Sequence, residues 1–430
     1  MGKPGFGANL WERLRRSPVP PLMSTSASQR ANSASLALSN LRAVLILIVL
    51  AFHSILPYLG SMPPGANPFD DSERRWQAFP IVDGQRWFGF DLFCGWQYLS
   101  MMALMFFLSG LFVGPSLARK GSRAFVSARL LRIGVPLVPA VAILTPLAYY
   151  ASYRTTAADP SFGAFWQEWL ALPFWSPGPQ WFLILLLAFT LVVAALHRFA
   201  PGLRDRLFAT AALAADRPLR FFAGLVAVSA LAYIPLALAF SPWSWTNFGP
   251  VAYETTRVLL YLAYFLAGYS IGAAGLGRGM LSCNGPLARN WAAWLGAAVL
   301  GFGLWAGSST LTLGEWSDVP IFARLLAAIA MVLGCAAGGM FALALCLRFG
   351  RKRRAAFDSL SANAYGIYLL HYAPAVWLQY ALLDTALPAI AKGAIVFGAT
   401  LLVTWPLAAA IGNIPLRSLR PAGVKRVRSA

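Results

Sequence analysis

Residues 41–60 read LRAVLILIVLAFHSILPYLG. Positions 43–52 are ten apolar residues in a row. With Ile55, Leu56 and Leu59 the stretch reaches the length of about 20 residues that a helix needs to cross a bilayer. Two ionisable side chains interrupt it, Arg42 at its start and His53 eleven residues on. At about 100° per residue, eleven steps make three turns plus roughly 20°, so both side chains share one helix face. The rise between them is roughly 16 Å. With Arg42 anchored at one interface, His53 lies near the middle of the membrane.

Nine more apolar stretches follow, at 93–114, 133–152, 181–197, 221–240, 257–275, 291–309, 321–347, 360–380 and 391–411. The pattern predicts an all-α, polytopic membrane protein of about ten transmembrane helices. Composition agrees. Only 12% of the 430 residues are charged against 58% hydrophobic, and mean hydropathy is +0.62. A soluble domain carries about 25% charged residues, so a cytosolic enzyme, a disordered chain and a disulfide scaffold are all excluded. The four cysteines (Cys94, Cys283, Cys335, Cys346) show no CxxC spacing, and no metal site is expected. Residues 1–35 read as a flexible basic tail without the apolar core of a signal peptide. Residues 36–411 form the membrane domain, and 412–430 a second basic tail.

Basic residues mark the cytoplasmic side of short loops. With the N-terminus inside, the inner connections hold 28 of the 35 Lys and Arg and four of the 15 acids, against seven and eleven outside. The expected orientation is N-in, C-in. The net charge of +20 then reports topology and contact with anionic lipid, so no nucleic-acid partner is expected. Two outer connections stand out. Residues 61–92 contain Asp70, Asp71, Glu73, Asp83 and Asp91 with Trp76 and Trp87; residues 153–180 contain Asp159 and Glu168 with Trp166, Trp169 and Trp175. Exposed tryptophans among carboxylates suit sugar recognition, and an interfacial aromatic belt produces the same composition.

With every Asp and Glu assigned to loops, the interior of the spans is left with histidines. Intramembrane ionisable groups are functional candidates because burying them is costly. His371, in SANAYGIYLLHYAPAVWLQY, lies about as far from the inner side as His53, on a helix running the same way. Tyr365, Tyr368 and His371 recur at three-residue spacing and form one stripe. A neutral imidazole is suited to act as general base, whereas a structural hydrogen bond to a neighbouring helix is the alternative. His197, beside Arg198, reads as an interfacial residue. Ser109-Gly110 in MFFLSGLF permits close helix approach. Arg129 and Arg132 in ARKGSRAFVSARLLRIGVP suit phosphate groups, although positive-inside enrichment alone also accounts for them.

These residues carry a resemblance. LRAVLILIVLAFH resembles the Arg-x10-His first helix of the acyltransferase 3 family of membrane acyltransferases. FFLSGLF with FVSARLLRIGVPLVP, PQWFLILLL and AYGIYLLHY resemble that family's later motifs, in family order. Within the family the chain is similar to the branch that succinylates periplasmic glucans. It departs where the family often places an acid shortly before the first-helix Arg, having Leu38-Ser39-Asn40 instead. The resemblance implies O-acyl transfer, of the acetyl or succinyl class, from cytoplasmic acyl-CoA to a hydroxyl of an extracytoplasmic glycan, in a bacterial inner membrane. Acyl-CoA is then a donor substrate, and no bound cofactor is expected. His53 is the implied catalytic base with Arg42 as its motif partner. Arg129, Arg132, Ser109 and Gly110 are implied at the donor, and Tyr368, His371 and Trp181 near the substrate. Direct transfer is expected, with an acyl-histidine intermediate as runner-up. A transporter or flippase of a glycan, marked by a buried acid or a broken helix, and a non-catalytic scaffold are the competing functions.

Overall fold

The computed structural model describes residues 22–61, 81–172, 174–214 and 216–412. The acids and tryptophan expected at 70–76, and most of both terminal tails, lie outside the described residues. Among the described residues, eight helices are long and apolar enough to cross a membrane. The principal helices are α1 (Leu22–Ile55), α2 (Phe88–Leu111), α3 (the near-continuous stretch Ser122–Tyr153), α4 (Trp181–Phe199), α5 (Pro218–Ala239), α6 (Val258–Ala273), α7 (Trp291–Ser309), α8 (Ile321–Phe349), α9 (Ala355–Leu370), α10 (Tyr372–Leu382) and α11 (Ala389–Gly412). A two-stranded hairpin, β1 (Trp245–Phe248) and β2 (Val251–Glu254), is the only sheet among the described residues. The chain is an all-α polytopic membrane protein.

Two expectations need correction. The ninth apolar stretch is not one helix but two, α9 and α10, bent at His371. Pro374 explains the bend, because its ring lacks an N–H for the Leu370 carbonyl and crowds it. Residues 22–35, expected in a flexible tail, are the first turns of α1. Packing holds them there: Ala34 is fully buried, and a side chain built on Gly277 would stand 2.6 Å from the Arg30 carbonyl.

The helices pack in two groups joined at α1. On one side α9, α10 and α11 lie against α1. On the other, α2 pairs with α6, and α8 with α5 and α7. The α2–α6 pair meets backbone to backbone. A Cβ on Gly110, Gly268 or Gly272 would fall 2.2, 2.0 and 2.0 Å from the backbone oxygens of Phe265, Phe107 and Leu111. Small residues at four-residue spacing let two helix backbones meet in this way.

The connections gather at two ends. At one, Asn40 donates to the carbonyls of Gly350 (2.8 Å) and Lys352 (3.1 Å), and Arg351 bonds Asn284. Asn40, in the segment where the family often carries an acid, thus fastens the α8–α9 turn. At the other end Trp175 N–H donates to Gly249, tying the 172–180 connection to the hairpin. There Trp169 is buried among Phe165, Tyr149 and Tyr153, so it is a core residue and fits neither the sugar platform nor the interfacial belt. Glu168 accepts from the Tyr153 hydroxyl, Asp159 from Ser161 N–H, and Asp91 from Gly60 and Ser61 N–H. These carboxylates are engaged in local structure.

Candidate active site

α1 ends just beyond His53, and the sequence dictates how. The His53 carbonyl would accept from the amide of residue 57, but that residue is proline and has no N–H. Gln379 of α10 supplies the missing donor, its Nε2 reaching the His53 carbonyl at 2.7 Å and that of Ser54 at 3.4 Å. The last turn of α1 is therefore completed by another helix.

His53 Nδ1 lies 2.9 Å from the Val49 carbonyl and 3.2 Å from His371 Nε2. His371 Nδ1 lies 2.7 Å from the Tyr368 carbonyl. A carbonyl only accepts, so His371 carries its proton on Nδ1 and, when neutral, a lone pair on Nε2. His53 Nδ1 then faces two acceptors and must itself carry hydrogen. The donor–acceptor pattern thus assigns the bare lone pair of His53 to Nε2, the form required of a base. Both residues are buried, at 8% and 0% exposure. Phe52 and Tyr372 approach the His53 ring edgewise, at 5.0 and 5.7 Å between centroids.

The PQW motif docks on the bend. The Tyr368 hydroxyl donates to the Pro179 carbonyl, and Gln180 Nε2 donates to that of Leu369 at 3.2 Å. Trp181 is one step further out, stacked on Tyr261 at 5.8 Å, and reaches Tyr368 only through Phe182. Tyr365, the first member of the stripe, bonds the Ile133 carbonyl inside α3. There the backbone opens into a π turn, Leu130–Gly134, ahead of Pro136.

That π turn adjoins a second cluster. Arg129 lies close enough to both Arg42 and Arg132 to feel their charges. Among the described residues none of the three forms an ion pair. Arg42 stacks over Phe112 at 5.3 Å and Arg129 over Phe125 at 5.2 Å. Because Phe112 closes the FFLSGLF motif, the structure brings the first-helix arginine, that motif and the inner-loop arginines together. Ser109 is half-buried with its hydroxyl on the Met105 carbonyl. Gly110 is occupied by the α2–α6 contact described above.

The interior is not left to histidines alone, as the sequence reading had it. Lys392 Nζ lies 2.7 Å from Asp83 Oδ2, with side chains 0% and 2% exposed. Arg257 lies 3.5 Å from Glu254, equally enclosed, over the Tyr98 ring. Their burial is tertiary, since each acid comes from a connection that folds back among helices. Lys392, inside an apolar stretch, was the legible warning. Gln379 was also missed, although Pro57 four residues after His53 signals an unmatched carbonyl.

A family model described as an acyltransferase domain matches residues 35–409. The chain belongs to the acyltransferase 3 family. That match spans most of the chain and supports a membrane acyltransferase. Comparisons with curated proteins and with solved structures return no match.

Proposed function

We propose that the chain moves an acetyl- or succinyl-class acyl group from cytoplasmic acyl-CoA to a hydroxyl of an extracytoplasmic glycan, with His53 as general base. The observation that carries this reading is the bare His53 Nε2, fixed by its neighbours, on the same α1 face as Arg42. The arginine cluster suits the phosphates of a CoA donor, in keeping with the N-in, C-in orientation expected from the basic connections. The acceptor O–H gives its proton to Nε2 as its oxygen attacks the thioester carbonyl. The C–S bond then breaks, and the leaving thiolate takes the proton back. A positioned base of this kind contributes about 10²–10⁴-fold to rate.

The features expected of a transporter do not favour that reading. Among the described residues each buried acid is matched by a cation, and side-chain donors bind the Tyr368 and Leu369 carbonyls beside the helix break. The test is His53→Ala. Mass spectrometry of surface glycans from cells carrying the wild-type gene is expected to show acyl groups absent with the variant, while membrane extracts contain both proteins equally. Undiminished acylation by His53→Ala overturns the assignment.

A further inference from the structure

Among the described residues no carboxylate lies against His53 to hold the charge it acquires. In a Ser-His-Asp triad a buried aspartate stabilises the imidazolium without taking its proton, because a carboxyl group, ordinarily near 4, is a far weaker base than imidazole at about 6.5. Here His53 Nδ1–H faces the Val49 carbonyl at 2.9 Å and a second imidazole at 3.2 Å, and of these two acceptors only the imidazole can take the proton. Two rings of equal intrinsic basicity exchange a proton near balance.

We propose that His371 is the proton-holding partner of His53, a reading that rests on His53 as the base. As the acceptor O–H bond breaks and the His53 Nε2–H bond forms, the His53 Nδ1–H bond breaks and a His371 Nε2–H bond forms. The positive charge then sits on His371, one ring away from the thioester, and both protons return when the thiolate leaves.

The structure supplies the counter-field. His53 is in the last turn of α1, and His371 is the residue on which α9 ends. The C-terminus of α1, with a partial negative charge that favours cations, bears on the pair, whereas at His371 the end of α9 meets the start of α10 and their opposite partial charges offset. Pro374 adds the Leu370 carbonyl, deprived of its helical donor, and the His371 Nδ1–H rests on the Tyr368 carbonyl. Among the described residues the ionisable groups packed against the rings are the phenols of Tyr368 on α9 and Tyr372 on α10, with Tyr149 of α3 behind Tyr372. Asp83 and Lys392, beyond Tyr58, neutralise one another.

The chain has only three histidines, so ring-nitrogen NMR of the ¹⁵N-histidine-labelled full-length protein in lipid nanodiscs tests this without any substrate. His197→Gln removes the third signal. At neutral pH both remaining rings are expected as the Nδ1–H form. The first proton added on acidification should move the ring signals of both residues together in the wild type, and those of His53 alone in His371→Gln. Rings that titrate independently in the wild type, or an Nε2–H form in either, overturn the proposal. Glutamine keeps an acceptor for His53 but cannot take its proton. With acetyl-CoA or succinyl-CoA as donor and a glucan oligosaccharide as acceptor, His371→Gln should lower kcat at least tenfold, leave donor KM within twofold, and reduce the solvent proton inventory from two protons to one. A wild-type kcat in His371→Gln sinks the relay alone, whereas retained activity in His53→Ala sinks the base assignment beneath it.

Discussion

Pro57 lacks an N–H, and its effect is felt at the base. The His53 carbonyl, deprived of its donor, is satisfied by Gln379 at 2.7 Å. Leaving a buried carbonyl without a partner costs about 1–3 kcal/mol, so Gln379→Met is expected to lower the thermal midpoint of the detergent-solubilised protein. Pro57→Ala restores the amide that the helix itself would use. A double-mutant cycle should show Gln379→Met costing at least about 1 kcal/mol less in the Pro57→Ala background. Equal costs in both backgrounds refute the exchange. At this scale the sequence was partly legible. Eleven residues of helix place Arg42 and His53 on one face whatever their neighbours, and equal depth pairs His53 with His371. Nothing local, however, says which ring nitrogen meets which, or that Gln379 rather than water ends α1.

Among elements, the α2–α6 contact is the least forgiving. Gly110→Ala puts a methyl 2.2 Å from the Phe265 carbonyl. Such overpacking costs about 1–3 kcal/mol or more, which fluorescence-detected size exclusion is expected to report as loss of the monodisperse peak. Gly224→Ala on α5 meets nothing within 4 Å, and it should be neutral or stabilising by up to about 1 kcal/mol, since alanine is the better helix former. If both variants behave alike, close packing does not explain Gly110. The Ser109-Gly110 pair was legible as a site for close approach, but its partner on α6 was not, because helix pairing is set by tertiary contacts that periodicity does not encode. The bend at His371 was legible in principle from Pro374. A run of 21 apolar-rich residues at 360–380 masked it.

At the scale of the molecule, one buried ion pair joins distant parts of the chain. Asp83 N–H donates to the Pro57 carbonyl at the exit of α1, its carboxylate meets Lys392 at the start of α11, and Lys392 also bonds the Leu383 carbonyl beyond α10. Removing one member of a buried pair costs about 3–5 kcal/mol, and replacing both by apolar groups costs much less. Lys392→Met alone should therefore unfold at a lower temperature than Asp83→Leu combined with Lys392→Met; the reverse order contradicts a stabilising pair. Membrane class could be read from composition and apolar runs, since these average over many residues. Asp83 was placed in a loop because only the folded chain shows that this connection turns back inside.

The short distance between His53 and His371 has an electrical consequence. A full elementary charge crossing a bilayer works against about 2.3 kcal/mol per 100 mV. A proton passing from His53 Nδ1 to His371 Nε2 moves at most 3.2 Å of a hydrocarbon depth of about 30 Å. Even if that step pointed straight along the membrane normal, it would feel about 0.2 kcal/mol per 100 mV. The exchange of a proton between these two rings is thus nearly blind to the voltage of the membrane that contains them.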